Sequence, residues 1–147
     1  MTFKQCLRPL LVLALGLATL GSAQAETARP EVAGQVKAYA SADGVKVWTL
    51  RYDKRETRQA LVQMTDIDND LNQKILLAST QVKGQEVSYS VQLKGQPYVL
   101  LILNEGTGEL NVPGTGQTKR LSYSEELSTQ ANAEHYLTAY QAQAENP

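Results

Sequence analysis

Three aspartates at alternate positions are the first residues of this chain that could do chemistry. Asp66, Asp68 and Asp70 lie in the stretch TDIDNDLNQKI. Carboxylate oxygens are ligands that Ca²⁺ prefers, so this spacing suggests a calcium site. The helix-loop-helix calcium motif does not fit, because it needs glycine at its sixth position and glutamate at its twelfth. Counted from Asp66, those positions hold Leu71 and Leu77.

We interpret the aspartate stretch as a turn between two strands, with a looser calcium site on Asp66, Asp68 and Asp70 as the alternative. Asp and Asn side chains commonly hydrogen-bond their own backbone in turns. Clustered carboxylates nevertheless repel one another unless a cation or hydrogen bonds intervene. A catalytic carboxylate pair needs surroundings that push the two pKa values apart, and nothing local to the stretch suggests such an asymmetry.

A second candidate site is the segment NEGTGELNVPGTGQT, at 104–118, which contains Gly-Thr-Gly twice. It is neither a phosphate-binding loop nor a dinucleotide fingerprint, because no Lys-Ser/Thr pair follows the glycines and their spacing is wrong. The segment predicts two tight turns around a short strand. The alternative is that both turns project from one end of the sheet as a contact surface. The binding residues would then be Thr107, Glu109, Asn111 and Thr115.

The remaining chemical candidates are the single histidine and a basic stretch. His135 has no second histidine and no nearby cysteine to complete a transition-metal site, and the chain has no GxSxG nucleophile elbow. A hydrolase using the aspartates with His135 is therefore a minor hypothesis. The basic residues of 51–58 predict a solvated loop, with a contact to a small anion or an acidic partner as the alternative. They are Arg51, Lys54, Arg55 and Arg58.

The first 25 residues have the pattern of a cleaved signal peptide. Lys4 and Arg8 precede an apolar run of eleven residues, 10–20, and Ala23 and Ala25 suit a signal peptidase. The run is short for a membrane anchor, so no membrane span is predicted. Because Cys6 precedes this run, no lipid anchor is expected. The sequence thus predicts a periplasmic or secreted protein, with a bacterial signal.

Cleavage after Ala25 would leave a mature chain without cysteine, which excludes thiol catalysis and thiolate metal sites. Loss of Lys4 and Arg8 leaves 12 basic and 15 acidic residues, a net charge of −3. A charge this small does not suggest a nucleic-acid partner. Residues 26–35 are expected to form a flexible leader and 36–147 a single domain.

Alternation of apolar and polar residues dominates the middle of the chain. It is clearest in KGQEVSYSVQLKGQ, and this pattern is typical of a strand with one buried face. The Lys-Gly-Gln at both ends of that stretch has the spacing of turns in a β-meander. Strands are predicted at 45–52, 60–67, 74–82, 85–93, 97–103, 109–113 and 118–123.

The stretch PYVLLIL, at 97–103, is apolar on both faces and predicts a central strand covered on both sides. A C-terminal helix at about 123–143 is the candidate cover. Ser122 and Glu125 have the spacing of a capping box at its start. The apolar stripe drifts near Asn132, which leaves open whether one helix or two form.

These elements predict a mainly β (α+β) fold. We expect an antiparallel meander of about seven strands, forming a barrel or a sandwich, with a C-terminal helix packed on it. Since each catalytic pattern lacks a required member, the first hypothesis is a non-enzymatic, cofactor-free protein that contacts a protein or an envelope polymer through loops or a sheet edge. The alternative is a β-domain that binds a small ligand in the barrel interior or calcium on the aspartate loop.

Overall fold

Eight strands follow one another around a closed antiparallel barrel. The structure is a computed structural model that describes residues 28–146, so the predicted signal peptide lies outside the described residues. The predicted β-meander with a C-terminal helical part is confirmed, and the sheet forms a barrel. The strands are β1 (Lys37–Ala40), β2 (Lys46–Tyr52), β3 (Gln59–Thr65), β4 (Ile75–Lys83), β5 (Glu86–Leu93), β6 (Gln96–Asn104), β7 (Thr107–Val112) and β8 (Gln117–Tyr123).

The strand that the sequence analysis missed is β1, and this strand closes the barrel. It pairs with β2 along its whole length and with β8 through Tyr39 opposite Tyr123. Its sequence, KAYA, is too short to display an alternation of its own. Part of the predicted leader also joins the sheet, because the N–H of Ala33 donates to the carbonyl of Arg51 at 3.1 Å and Val32 bridges Tyr52.

The barrel interior is filled by apolar side chains. Alternate residues of each strand point inward, and they make up most of a buried cluster of fourteen residues that includes Val47, Met64 and Leu110. An eight-stranded barrel is just wide enough for side chains to fill it. The hypothesis of a ligand pocket in the barrel interior is therefore not supported, because side chains occupy that space.

Strand β6 is apolar along its length for a reason that the sequence analysis did not anticipate. The register between β5 and β6 shifts at Tyr89 and Ser90, where Leu100 is an extra residue on β6. This β-bulge lets Leu100 and Leu101 both face the interior, and both are fully buried. The prediction of a second covered face was wrong, since Val99 on the outer face is 43% exposed.

Two helices follow the barrel, α1 (Glu125–Gln130) and α2 (Ala133–Glu145). Ser124 caps α1 by accepting a hydrogen bond from the N–H of Leu127, so the predicted capping box at Ser122 was wrong; Ser122 still belongs to β8. The break falls at Ala131, whose backbone is extended, and Asn132 then caps α2. In the described part of the chain, no helix has the length and apolarity needed to cross a membrane.

The helices pack outside the barrel, against β1 to β4. A second apolar cluster joins Leu50, Leu61 and Ile75 of the barrel wall to Tyr136 and Tyr140 of α2. The side-chain oxygen of Gln143 also accepts a hydrogen bond from the N–H of Ile75 at 2.9 Å, and the side-chain NH₂ of Gln143 donates to the carbonyl of Ile75 at 2.8 Å. The helices thus cover the outward leucines of β2 and β3, and the prediction that they cover β6 was wrong.

Candidate functional site

The meander places its connections alternately at two ends of the barrel. We call the end with turns 41–45, 66–74, 94–95 and 113–116 the aspartate end. The other, with connections 53–58, 84–85 and 105–106 and the start of β1, is the tyrosine end. The aspartate connection and the 104–108 connection therefore lie at opposite ends, because three strands separate them.

Charged groups at the aspartate end pair with one another. The Lys46 ammonium lies 3.0 Å from a carboxylate oxygen of Asp66, and this contact is the main reason that the pKa of Asp66 is below its ordinary value. Lys119, reaching from β8, pairs in the same way with Asp43 and lowers the pKa of its carboxyl. Two of the carboxylates at this end thus already have a cation of the chain as partner.

The aspartate stretch forms a turn, as its interpretation predicted, but asparagines supply the hydrogen bonds. The Asn69 side-chain oxygen accepts from the N–H of Leu71 at 2.8 Å, and that of Asn72 accepts from the N–H of Ile67 at 3.3 Å. Asp68 and Asp70 are exposed. Within residues 28–146, no group of three or more His, Cys, Asp or Glu side chains is placed to hold a metal ion. Asp66, Asp68 and Asp70 are therefore not gathered into a shared site.

The two Gly-Thr-Gly turns lie at opposite ends of β7, so they do not project together from one end of the sheet as the alternative prediction required. Their separation follows directly from the meander, in which successive turns alternate between ends. Thr107, Glu109 and Asn111 share the outer face of β7, and Thr115 lies in the turn at the aspartate end. Asn111 uses its amide within the sheet, donating to the carbonyl of Val99 at 3.0 Å.

Thr107 and Glu109 line a depression of about 550 Å³ on the outside of β5 to β8. A Cβ on Gly108, in the middle of it, would lie 2.6 Å from the Leu103 side chain, so a larger residue there would force Leu103 to shift. Glu86 and Arg120 line the same depression. Carboxylates and a guanidinium of opposite charge share this surface, so it does not select strongly for either sign of ligand.

The tyrosine end differs in having a cleft lined by basic side chains. A cleft of about 470 Å³, which we call the basic cleft, opens between the leader and the barrel rim. Arg51 lies 3.6 Å from Glu31, but within residues 28–146 neither Lys37 nor Arg55 forms an ion pair. The basic cleft is lined by Lys37, Thr49, Arg51, Arg55 and Tyr89, with leader residues 33–35.

Four different elements bring these side chains together. Lys37 is the first residue of β1, Thr49 and Arg51 occupy the inward positions of β2, and Arg55 begins the 3-10 helix Arg55–Thr57. Tyr89 faces inward from β5, directly before the bulge. Because four of the five come from strands of a closed barrel, the cleft has a rigid base.

Hydroxyl groups form the inner part of this end. The buried Thr49 hydroxyl donates to the carbonyl of Lys37 at 3.5 Å. Burial raises the pKa of the Tyr89 phenol, and the nearby Thr49 hydroxyl offsets part of the rise. Burial also raises the pKa of Tyr39 to about 12. Both phenols thus remain protonated at neutral pH and offer O–H donors.

A second cleft of about 310 Å³ shares Lys37 and Tyr89 with the basic cleft. We call it the apolar cleft, because the side chains of Val87 and Leu103 and the ring of Tyr39 contribute to its lining. Glu105, in the β6–β7 turn, is its acidic residue. The tyrosine end therefore offers a basic region and an apolar region on either side of shared side chains.

Only part of this site, two of its basic residues, was predicted from the sequence. Arg51 and Arg55 belong to the predicted basic stretch, whereas Lys54 and Arg58 do not line the cleft. Lys37 was missed because β1 was missed. Tyr89 could have been singled out from the sequence, since it is the only aromatic residue among the apolar positions of the alternating stretch 85–93.

His135 lies on the exposed side of α2, next to Tyr136 and across a small cleft from Trp48. In the described part of the chain, no side-chain hydrogen bond or ion pair joins His135 to the aspartates of 66–70. The hydrolase hypothesis thus gains no geometric support.

Comparison with known proteins gives no relative from which a role could be transferred. No protein-family model, no curated protein and no solved structure matches the chain. The functional assignment therefore depends on the chemistry of the two barrel ends.

Proposed function

We propose that this protein is a non-enzymatic binding protein, exported to the periplasm or secreted, that holds an anionic group of its ligand in the basic cleft. The observation that carries the proposal is the convergence of Lys37, Arg51 and Arg55 on one cleft. Among the described residues that line this cleft, none is acidic. The anionic group could belong to a small molecule, to an acidic protein or to an envelope polymer.

The physical basis is the number and sign of the hydrogen-bond donors. Ammonium and guanidinium groups form charge-assisted hydrogen bonds with carboxylates and phosphates, and these are about twice as strong as neutral hydrogen bonds. The Tyr89 hydroxyl adds a neutral donor at the base of the cleft. Arg51 lies near Glu31 and donates to the carbonyl of Asp53, whereas Lys37 and Arg55 form no ion pair within residues 28–146, so an anion entering the cleft gains most from these two cations.

The same chemistry argues against catalysis in this cleft. A general base or nucleophile must be able to lose or share a proton near neutral pH. Burial raises the pKa of the Tyr89 phenol, the one phenol that lines this cleft, so Tyr89 stays protonated. The cleft therefore has donors and positive charge but lacks a group suited to remove a proton.

Isothermal titration with inorganic phosphate and with acetate, at low ionic strength, tests the proposal. We expect Arg55→Gln to weaken phosphate binding by about three- to tenfold, since one charge-assisted hydrogen bond contributes on the order of 1 kcal/mol at a partly exposed site. Lys54→Gln is the matched control, because it removes the same charge from the neighbouring position outside the cleft. Equal losses in both variants, or no binding by the unaltered protein, would contradict the proposal.

Export is tested separately by the mass of the protein recovered from a secreting bacterial host. Cleavage after Ala25 predicts a polypeptide that begins at Glu26. Recovery of the full-length chain from the cytoplasmic fraction alone would remove the exported part of the proposal and leave the binding part intact.

A further inference from the structure

The tyrosine end has two adjoining clefts of unlike chemistry. They have Lys37 and Tyr89 in common, so a ligand passing over these side chains contacts both clefts. The basic cleft has Lys37, Arg51 and Arg55 and no acidic residue, whereas the apolar cleft adds Val87, Leu103 and Glu105 to the shared Lys37. An anion alone would use only the first of these regions.

The charges also define a direction across the site. Glu105 lines the apolar cleft, opposite in sign to the basic residues that line the other. A negative group placed near Glu105 would be repelled, and the same group placed near Arg55 would be attracted. A ligand with one charged end and one apolar end therefore has a single favourable orientation.

We infer that the ligand is a carboxylate attached to a short apolar chain or ring. Its carboxylate lies in the basic cleft, against Lys37, Arg55 and Tyr89, and its apolar part lies in the apolar cleft, against Val87, Leu103 and the Tyr39 ring. This inference rests on the proposed function, because it assumes that the basic cleft binds the anion.

The dimensions favour a small ligand. The two clefts measure about 470 and 310 Å³, which is within the range of about 300–1,000 Å³ that is usual for small-molecule sites. The barrel interior beneath them is closed by the buried cluster that contains Leu101 and Leu103. The apolar part of the ligand thus lies over the rim and cannot pass into the barrel, and the 310 Å³ of the apolar cleft fits a short chain or a single ring.

Titration with hexanoate, acetate and neutral hexanamide tests the inference. Full burial of a methylene group contributes about fourfold in affinity, so partial burial of the longer chain should make hexanoate bind at least about tenfold more tightly than acetate. Hexanamide should bind more weakly than hexanoate, since it lacks the charge. Equal binding of acetate and hexanoate would overturn the inference while leaving anion binding in place. Binding of none of the acids, nor of phosphate, would overturn the proposed function as well.

A pair of matched variants locates the apolar contact. Val87→Thr replaces a methyl group with a hydroxyl in the apolar cleft, and Val99→Thr makes the same change on the outer face of β6, away from both clefts. We expect Val87→Thr to reduce hexanoate affinity by about threefold, a loss close to that of one buried methyl group, and to leave acetate affinity unchanged. The same loss with Val99→Thr, or none with Val87→Thr, would contradict the placement.

The same two groups occur at the C-terminus of a peptide whose last residue is apolar. N-acetyl-leucine is therefore titrated beside hexanoate. Tighter binding of N-acetyl-leucine identifies a chain terminus as the source of the carboxylate, and tighter binding of hexanoate identifies a free acid. Both results support the inference, whereas binding of N-acetyl-leucine and hexanoate no tighter than acetate overturns it.

Discussion

Both ends of the barrel carry charged side chains, but the two ends use them differently. At the aspartate end, Lys46 pairs with Asp66 and Lys119 pairs with Asp43, so acids and bases of the chain satisfy each other. At the tyrosine end, Lys37 and Arg55 line a cleft without a carboxylate partner among residues 28–146.

The two ends differ in how their charges are paired more than in how many charges they carry. The three aspartates are conspicuous in the sequence, yet asparagines make the side-chain hydrogen bonds to the backbone in that connection. The residues of the basic cleft are separated by up to 56 positions, from Ala33 to Tyr89, and no short motif contains them. Charges left without partners by the fold are the ones available to a ligand.

A packed interior keeps the two ends of the barrel apart, and Leu100→Ala tests this packing. Leu100 is fully buried at the bulge of β6. Removing its side chain leaves a cavity, so we expect the free energy of unfolding in urea to fall by about 2–5 kcal/mol. Leu77→Ala, on the outer face of β4 where the leucine is 37% exposed, is the control. A similar loss in the control would show that the interior is not the main source of stability.

The position of Lys37 at the tyrosine end depends on α1, and Ser128→Ala tests that connection. The buried Ser128 hydroxyl accepts a hydrogen bond from the N–H of Ala38 at 2.8 Å and donates to the carbonyl of Ser124 at 2.7 Å. Its removal leaves a buried N–H without a partner, which should lower the free energy of unfolding by about 1–3 kcal/mol. Thr129→Ala, at the next and exposed position, should have a smaller effect. Equal stability of Ser128→Ala and the unaltered protein would show that α1 does not anchor β1.

The smallest effect is expected for the ion pair at the aspartate end. Because Lys46 lowers the pKa of Asp66, the pair adds stability at neutral pH and this contribution is lost as the pH falls below about 3.8. Asp66→Asn should therefore melt slightly below the unaltered protein at pH 7 and at the same temperature under more acidic conditions. Asp68→Asn, in the same turn, should leave the melting temperature unchanged at both pH values. A difference that grows as the pH falls would contradict the assigned pairing.

The fold was largely predictable from the sequence because the alternating strands and tight turns are local signals. The turns at Gly84 and Gly95 and the long strands follow from such signals. Two features that were missed have nonlocal causes. The short strand β1 is stabilised by its pairing with β2 and β8 and by Ser128, and the bulge at Leu100 is defined only by register with β5.

The candidate site was less predictable than the fold, and for a similar reason. Arg51 and Arg55 stood out as part of a basic stretch, but Lys54 and Arg58 stood out equally. Which of these cations share a cleft depends on how the leader, the 3-10 helix and three strands pack together, and a local sequence pattern does not reveal that packing. Thr107, Glu109, Asn111 and Thr115 remain predictions as contact residues, although the two Gly-Thr-Gly turns lie at opposite ends of the barrel.

A map of backbone amide chemical shifts, recorded with hexanoate and separately with calcium chloride, tests most directly which end of the barrel binds a ligand. We predict that hexanoate shifts the amide signals of Gly34, Lys37 and Tyr89 at the tyrosine end and leaves those of 66–74 unchanged. Calcium should leave the signals at 66–74 in place, because Asp66 is paired with Lys46. Saturable shifts at 66–74 with calcium, together with none at the tyrosine end with hexanoate, would reverse the assignment of the two ends.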